Sequence, residues 1–480
     1  MESQTATAVS RTYKRAKIIA TIGPSTDDPE MIEKLARAGV NGFRLNFSHG
    51  THEERDKQIP WIRQAAEKVG KPVTIFQDLQ GPKIRLGEME GVVNVSAGEV
   101  WNLTYGAETD VDAKRLAIQY DLSQKMKVGE PLFMFDGKVR SEVQAVEPEN
   151  HTVRVRIEND GIVMKRKGIN VPDTDFGGDV LTDKDMKDIM YGVDKDLDYV
   201  AISFVQKAAE VEHLRKILRD NGSNARVIVK VETKSAIEPQ NLEEIVIAAD
   251  AVMVARGDLA VEAGAEVVPI VQRDIISLCQ KHGRISIVAT QMMASMVESA
   301  SPTRAEVSDV ANAVIFGADC LMLSDETAAG RYPLETVKEM KKVILYTQNR
   351  APVQPVYFQE GKRDQQDAIS SAVITLAHQI DAAAIICETK TGETARSIAS
   401  HRPAMPIISV TSSSRVAQQL SILYANKSFQ REDGEKAGLA LAEDLVRTGF
   451  LMSGNTVVLV SGRQPGMAGM TDTIRIRVLE

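Results

Sequence analysis

The chain has 480 residues, 43% of them hydrophobic and 26% charged, so it can bury a sizeable core and is not of the disordered class. A net charge of −8 argues against a constitutive nucleic-acid binder, though not against a local basic cleft. No apolar run resembles a secretory core or a membrane span. We therefore expect a soluble cytoplasmic protein of about two to four domains with no nucleic-acid or membrane partner.

Eight short apolar runs, separated by amphipathic stretches of helical period, follow a tail at residues 1–16. Continuous apolar strands that alternate with helices predict a parallel sheet covered on both faces. Eight units favour a closed (β/α)8 TIM barrel over residues 17–81 and 181–350, with a doubly wound open sheet as the competing topology. The runs occupy residues 17–23, 42–47, 73–78, 199–204, 226–232, 251–256, 285–290 and 320–325.

The alternation breaks once, over residues 82–180, where alternating valines with Gly, Asn and Asp punctuation predict a small inserted β-barrel domain. An insertion after the third barrel strand would hang over the carboxyl ends of the strands as a lid. Residues 351–365 are polar and predict a linker, and residues 366–480 predict a second α/β domain. The cysteines, Cys279, Cys320 and Cys387, match neither a disulfide framework nor a metal knuckle, and we expect them to be buried.

Candidate phosphate ligands follow the second barrel strand. Arg44, Asn46 and Ser48 are spaced by two residues, so an extended chain puts them on one face. A cation with two small oxygen-bearing groups suits a bound phosphate and an accompanying metal ion. The alternative for Arg44 is a structural salt bridge.

The sharpest signal is a pair of charges on an otherwise apolar strand. Lys230 and Glu232 share one face, where burial is costly unless they are paired or hold ligands. Asp258 follows Gly257 just past the next strand. Two carboxylates suit Mg²⁺, which takes few protein ligands beside waters and substrate oxygens. The alternative is an ion pair that closes the barrel rim.

Polar groups also end the last two strands. Thr290 suits a carboxylate substrate or, alternatively, a helix cap. Ser324 and Glu326 suit a proton relay and would serve equally well as a capping pair.

Basic residues flank the inserted domain. Lys83 and Arg85 lead into it after Asp78, and Lys167 belongs to the basic run that closes it. Such a run is usually solvated surface, yet at the barrel mouth it would supply counter-charge to a polyphosphate. No P-loop, dinucleotide fingerprint, HExxH or GxSxG motif occurs, so phosphoryl transfer or enolate chemistry remains.

Separated motifs resemble signatures of the pyruvate kinase family, in the expected order over nearly the whole chain. They are KIIATIGPS, RLNFSHG, DLQGPKIRLG, IVKVET, VMVARGDL, ATQMMASM, PTRAEVSDVANAV and SDETAAGRYP. The resemblance implies transfer of the phosphoryl group of phosphoenolpyruvate to ADP, giving pyruvate and ATP, with Mg²⁺ or Mn²⁺ as cofactor. It also implies a homotetramer.

The resemblance assigns roles residue by residue. Lys230 would stabilise the migrating phosphoryl group and the enolate, and Arg44 would contact the transferring phosphate. Glu232 and Asp258 would bind Mg²⁺. The positions that match the family's nucleotide side are Asn46, His49, Arg85 and Lys167.

The resemblance also implies how the substrate carboxylate is held, by the backbone amides of Gly257 and Asp258 and the Thr290 hydroxyl. Enolpyruvate must then be protonated. A water polarised near Thr290, Ser324 and Glu326 is the preferred donor route.

Lys83 departs from the many family members that have Glu at this position and require K⁺. An ammonium there supplies the monovalent charge itself, as family members with Lys suggest, so we expect activity without K⁺. The residues that match K⁺ ligands nevertheless persist: Asn46, Ser48, Asp78 and the carbonyl of Leu79.

The loop at residues 389–395 resembles the family's effector-phosphate loop, which would make the C-terminal domain regulatory. Its candidate ligands are Thr389, Lys390, Thr391, Gly392 and Thr394. Glu393 stands where a basic residue is often found and would oppose a doubly phosphorylated sugar. We expect a sugar-monophosphate or nucleotide effector, or none. The alternative is an ordinary helix N-terminus without a ligand.

Two other functions stay open. A Mg²⁺-dependent barrel lyase or aldolase that acts on pyruvate-like enolates would share Lys230, Glu232 and Asp258 but would not need the inserted domain. A metabolite-sensing protein would keep the fold without turnover, and the intact set of candidate catalytic residues argues against it.

Overall fold

The computed structural model describes residues 13–135, 137–174, 180–353, 365–434, 436–462 and 471–480. Most of the predicted 1–16 tail and of the predicted 351–365 linker lies outside these ranges.

The strands and α-helices are numbered in chain order. The strands are β1 (Lys17–Ile22), β2 (Val40–Asn46), β3 (Thr74–Asp78), β4 (Ile84–Arg85), β5 (Val92–Val95), β6 (Val100–Tyr105), β7 (Arg115–Ile118), β8 (Pro131–Met134), β9 (Val139–Glu147), β10 (Thr152–Ile157), β11 (Gly161–Met164), β12 (Gly168–Asn170), β13 (Tyr199–Ile202), β14 (Arg226–Val231), β15 (Ala251–Ala255), β16 (Ile285–Ala289), β17 (Cys320–Leu323), β18 (Ala384–Glu388), β19 (Ile407–Thr411), β20 (Asn426–Gln430), β21 (Thr456–Gly462) and β22 (Thr471–Val478). The α-helices are α1 (Pro29–Ala38), α2 (His52–Val69), α3 (Asp183–Val193), α4 (Ala208–Asp220), α5 (Pro239–Ala248), α6 (Arg256–Ala263), α7 (Val268–Lys281), α8 (Arg304–Ile315), α9 (Asp325–Ala328), α10 (Pro333–Gln348), α11 (Gln365–Gln379), α12 (Glu393–Ser400), α13 (Ser414–Gln419) and α14 (Ala437–Arg447).

Eight parallel strands close into a barrel in the order β1-β17-β16-β15-β14-β13-β3-β2. Each predicted apolar run supplies one of these strands, so the (β/α)8 barrel is confirmed and the open sheet is wrong. Every residue of β3, β13, β15, β16 and β17 is buried. Such strands have no solvent face because their side chains fill either the barrel interior or the layer beneath the helices.

Capping residues start several barrel helices immediately after the loops that reach the barrel mouth. Thr51 and Glu54 form a capping box at α2, which ends the loop that carries His49. Thr303 and Glu306 form the same arrangement at α8. Among the described helices, none is both long enough and apolar enough to cross a bilayer.

The inserted β domain leaves the barrel at the carboxyl end of β3. Seven strands form a sheet in the order β4-β12-β8-β9-β10-β6-β7, and β5 pairs with β11. An isolated bridge between Leu86 and Ile118 joins the two ends of the larger sheet, which is therefore nearly closed. The inserted β-barrel domain predicted from the sequence is confirmed as part of the fold.

The C-terminal α/β domain carries a five-stranded sheet in the order β20-β19-β18-β21-β22, with only β22 antiparallel. It packs against the amino ends of the barrel strands, where the Tyr199 hydroxyl donates to the Gln419 carbonyl at 3.0 Å. Barrel and C-terminal side chains share one apolar core at this junction. The barrel therefore has a floor covered by the C-terminal domain and a mouth that faces the lid. All three cysteines are free and buried, as predicted.

Candidate active site

The carboxyl ends of the barrel strands gather the predicted catalytic residues around one lysine. Lys230 lies near the end of β14, and its Nζ donates to the Ser203 hydroxyl at 2.7 Å. The same Nζ is 3.5 Å from Glu232 Oε2 and 3.6 Å from Asp78 Oδ1. Burial lowers the pKa of Lys230, but the nearby carboxylates outweigh burial, so its pKa lies above the ordinary value. The ammonium therefore keeps its charge.

Glu232 is fully buried next to this ammonium. Its Oε1 accepts a hydrogen bond from the Phe204 amide at 2.8 Å, whereas Oε2 has no hydrogen-bond partner in the described chain. Burial raises the pKa of Glu232 to about 7, with Lys230 opposing the shift and Asp258 adding to it. Because a buried carboxylate oxygen without a donor is costly, the arrangement indicates a site for a bound cation.

Asp258 and Arg44 both form ion pairs at the mouth. Lys83 Nζ is 3.1 Å from Asp258 Oδ1, and Arg44 Nε is 2.6 Å from Asp78 Oδ2. Arg44 Nη1 also donates to the Thr21 hydroxyl at 3.4 Å. The salt bridge that competed with a phosphate role for Arg44 is thus present, and it fixes the guanidinium at the mouth.

Thr290 follows β16 in left-handed backbone geometry, with φ +64°, which is unusual for a β-branched residue. Its hydroxyl accepts a hydrogen bond from the Gly257 amide at 2.9 Å. Arg256 Nε donates to the Thr290 carbonyl at 3.2 Å, and Arg256 Nη1 pairs with Asp309 at 2.6 Å. These contacts hold a strained turn that directs the Thr290 hydroxyl to the amino end of α6.

Glu232 and Asp258 offer the hard oxygen donors that magnesium prefers, and the free Oε2 of Glu232 fits a metal ligand. Within the described ranges, no group of three or more Asp, Glu, His or Cys side chains could hold a metal ion. An ion held by these two carboxylates would therefore complete its coordination with water and substrate oxygens.

Comparison with known proteins decides which barrel chemistry the site belongs to. A family model described as pyruvate kinase, barrel domain, matches residues 13–337, and one described as pyruvate kinase, alpha/beta domain, matches residues 367–477. The chain belongs to the pyruvate kinase family. Pyruvate kinase 2 of Synechocystis sp. is 38% identical over 477 residues, and the pyruvate kinases of Geobacillus stearothermophilus and Staphylococcus aureus are 36% and 35% identical over 475 residues. Each match covers 97% of this chain and 80% of the relative.

The family resemblance inferred from the motifs is thereby confirmed. Pyruvate kinases are glycolytic phosphotransferases, with phosphoenolpyruvate, ADP, ATP and pyruvate as substrates and products, and they generally need a divalent metal. The lyase and sensor alternatives find no support in these matches.

Of the predicted nucleotide-side residues of this pyruvate kinase-family chain, Arg85 and Lys167 belong to the lid, whereas Asn46 and His49 lie at the end of barrel strand β2 and in the loop that follows it. Arg85 in β4 pairs with Gly168, the residue after Lys167. Lys167 Nζ lies 4.7 Å from the centre of the Phe135 ring. The pKa of His49 is lowered by burial and then by the positive charges of Arg85 and Arg44. A cavity of about 260 Å³ adjoins His49.

The residues that match K⁺ ligands are partly engaged with neighbours. Asn46 Oδ1 accepts a hydrogen bond from the Ser48 amide at 3.1 Å, and the Leu79 carbonyl accepts one from the Ser203 hydroxyl at 2.7 Å. Asp78 Oδ1, by contrast, has no hydrogen-bond partner in the part of the chain that is described. Lys83 pairs with Asp258, a candidate magnesium ligand, rather than with the residues that match K⁺ ligands.

Glu326 is held by two backbone amides. Its Oε2 accepts from the Ser324 amide at 2.7 Å, and its Oε1 accepts from the Met293 amide at 3.0 Å. The buried Ser324 hydroxyl has no partner among the described residues. Glu326 therefore holds the backbone at the start of α9, while the hydroxyl of Ser324 is left for a ligand or a water.

Polar side chains of the candidate effector loop already have partners within the C-terminal domain. The Thr389 hydroxyl accepts from the Gly392 amide at 2.9 Å. Lys390 Nζ pairs with Asp433 at 2.7 Å and donates to the Ser412 hydroxyl at 2.9 Å. A phosphate that used Lys390 would compete with Asp433.

The same loop touches the barrel floor. Arg226, at the start of β14, donates to the Thr391 carbonyl at 2.7 Å and lies 3.3 Å from Glu393 Oε1. The Thr394 hydroxyl bonds to the Thr471 hydroxyl at 2.9 Å. Glu393 therefore has an interdomain partner, which accounts for an acid at this position.

Sequence reasoning missed three residues that shape the site. Ser203 contacts Lys230, Phe204 supplies the amide that holds Glu232, and Arg256 holds the strained turn. Ser203 and Arg256 each end an apolar run at the carboxyl end of a strand, which is the signal that could have identified them. A backbone amide such as that of Phe204 leaves no signal in the sequence.

Proposed function

We propose that the chain is a Mg²⁺-dependent pyruvate kinase that does not require K⁺. The observation that carries this proposal is the buried Oε2 of Glu232, which lies 3.5 Å from Lys230 Nζ and lacks a hydrogen bond in the described chain. Glu232 and Asp258 would hold the magnesium ion, which when bound would neutralise charge on the transferring phosphate.

Lys230 carries the electrostatic part of the mechanism. As the phosphoryl group moves to the ADP oxygen, the bond from phosphorus to the bridging oxygen breaks and negative charge develops on the enolate. The Lys230 ammonium, kept charged beside Asp78 and Glu232, stabilises that charge. Arg44, which is held by Asp78, would contact the transferring phosphoryl group.

The substrate carboxylate would bind at the amino end of α6. The Gly257 amide, which donates to the Thr290 hydroxyl at 2.9 Å, would turn to the carboxylate together with the Asp258 amide. The enolate carbon is then protonated, and we propose a water at the free Ser324 hydroxyl, near Thr290 and Glu326, as the donor.

Lys83 would replace the monovalent cation. Its ammonium lies 3.1 Å from Asp258, so a fixed positive charge stands at the mouth without K⁺. His49, Arg85 and Lys167 would bind the nucleotide, with Asn46 beside them.

The C-terminal residues 366–480 would form a regulatory domain in a cytoplasmic homotetramer. We propose a sugar monophosphate or a nucleotide as effector, bound by the loop at residues 389–394. The Lys390–Asp433 pair is what such a ligand would have to displace.

A coupled assay of pyruvate formation from phosphoenolpyruvate and ADP with Mg²⁺ tests the proposal, with and without K⁺ at matched ionic strength. Turnover in both arms is expected. Turnover only with K⁺ would remove the Lys83 argument and keep the kinase. Folded protein without ADP-dependent turnover in either arm would overturn the proposed function.

A further inference from the structure

Helix α6 touches the active site at one end and the lid at the other. It begins with Arg256, Gly257 and Asp258, which the proposed function uses at the barrel mouth. One turn further, Glu262 Oε1 accepts a hydrogen bond from Asn170 Nδ2 in the lid at 2.9 Å. This contact joins two residues of different domains that lie 92 positions apart in the sequence.

A second contact joins the lid to the same turn of α6. Gly137, in the lid, has φ +79°, and a Cβ added there would lie 3.3 Å from Val261 Cγ1. The lid backbone thus approaches Val261 so closely that a larger residue would have to displace it. The close approach of Gly137 and the Asn170–Glu262 hydrogen bond together hold the lid against α6.

Glu262 differs from an exposed surface carboxylate in its pKa and in its hydrogen bonding. Burial raises its pKa to about 7; the hydrogen bond from Asn170 opposes this shift, and Asp258 adds to it. Among the described residues, Asn170 is its only hydrogen-bond donor. Asn170 itself is 4% exposed. A partly buried carboxyl that depends on one amide for its hydrogen bond is sensitive to the position of that amide.

The Asn170–Glu262 contact borders a small cavity at the junction between the lid and the barrel. This cavity of about 40 Å³, room for one or two waters, is lined by Glu262 and by residues of the two chain segments that enter and leave the lid, at 82–84, 169–172 and 174. The Asn170–Glu262 contact therefore lies where the lid joins the barrel.

We propose that Asn170 and Glu262 form a latch that positions the lid over α6 and thereby sets the nucleotide-side cations relative to Asp258. Asn170 belongs to β12, which follows Lys167 and pairs with Arg85 in β4. The latch rests on the proposed function, in which the lid supplies these cations. Both members are positioning residues, because neither contacts the reacting atoms.

The first test is kinetic. Asn170→Ala and Glu262→Ala should raise the KM for ADP about 5- to 20-fold, the effect of about 1 to 2 kcal/mol from one partly buried hydrogen bond, and leave the KM for phosphoenolpyruvate within about 2-fold. Glu262→Gln keeps an acceptor and should behave like the wild type. The double variant should be no worse than either single variant.

The matched control is Asn150→Ala, which removes an exposed asparagine-to-glutamate hydrogen bond, to Glu147, elsewhere in the same domain. It should leave both KM values unchanged. Equal rises in the two KM values, an unchanged KM for ADP, or a Glu262→Gln variant as impaired as Glu262→Ala would each overturn the latch.

The second test does not need turnover, so it separates the latch from the proposed function. Spin labels at exposed Val128→Cys in the lid and Ile247→Cys in the barrel report the distance between the two domains, since the native cysteines are buried. Asn170→Ala should broaden that distance distribution, and Asn150→Ala should not. Identical distributions in the wild type and Asn170→Ala would overturn the latch even if the enzyme is fully active.

Discussion

Asp319 at the floor of the barrel and Glu232 at its mouth are two buried carboxylates with opposite hydrogen bonding. At the floor, fully buried Asp319 accepts hydrogen bonds from the Ser286 amide and hydroxyl, each at 3.0 Å, from Arg402 at 2.6 Å and from the Tyr424 amide at 3.0 Å. At the mouth, equally buried Glu232 accepts one hydrogen bond and keeps a free oxygen within the described chain.

This difference separates a structural charge from a functional one. A buried carboxylate with every oxygen paired joins two domains and needs nothing further. A buried carboxylate with an open oxygen beside an ammonium is an unfinished network, which a metal ion or substrate would complete. Burial alone, which is the same at both ends, does not distinguish them.

The largest effect should come from the mouth. Lys230→Met should lower kcat on the order of 10³-fold, because the developing enolate charge loses its buried cation. Steady-state kinetics with saturating phosphoenolpyruvate and ADP measures this. Lys17→Met, at the floor, is the matched control and should keep kcat within about 2-fold. A Lys230→Met enzyme with more than a tenth of the wild-type kcat would contradict the assignment.

At the floor the effect should fall on stability instead. Asp319→Asn should lower the free energy of unfolding by about 3 kcal/mol, because Arg402 is left buried without its counter-charge. Urea denaturation followed by circular dichroism measures this. The comparison variant is Asp258→Asn at the mouth, which should lose activity with little change in stability. Similar losses of unfolding free energy in both variants would contradict the distinction between a structural carboxylate at the floor and a functional one at the mouth.

A floor lysine should make stability depend on pH. Burial lowers the pKa of Lys17 to about 7 from an ordinary 10.5, and its Nζ donates to the Asn426 carbonyl at 2.7 Å. Between these values the unfolded chain binds a proton that the folded chain does not, so the free energy of unfolding rises with pH.

From pH 7 to pH 9 the gain assigned to Lys17 should be about 2 kcal/mol. Urea midpoints of the wild type and Lys17→Met at both pH values isolate this contribution. The variant should show the smaller increase, and parallel increases would show that Lys17 titrates normally.

The smallest expected effect concerns the monovalent charge. Lys83→Glu should lower kcat without K⁺ about 10-fold or more, with recovery on adding K⁺ at constant ionic strength, because Asp258 would lose the ammonium 3.1 Å away. Lys83→Arg keeps the charge and serves as the control. A Lys83→Glu enzyme whose kcat does not change on adding K⁺ would contradict the proposal that Lys83 replaces the ion.

Much of the molecule could be predicted from its sequence. The eight apolar runs correspond to the eight barrel strands, because a parallel strand buried on both faces needs continuous apolar residues. Lys230, Glu232 and Asp258 stood out because a charge is costly at the end of such a strand. The structure brings these three residues together at the barrel mouth.

The partners of these charges depend on the tertiary structure alone. Glu232 meets the Phe204 amide, Lys83 pairs with Asp258, and Asn170 reaches Glu262, each across a strand or domain boundary. Local spacing predicts which side chains share a face of one element, and it therefore identified the candidates. Closure of the barrel and seating of the lid determine which atoms meet and which oxygen stays open, because these contacts join residues far apart in the chain.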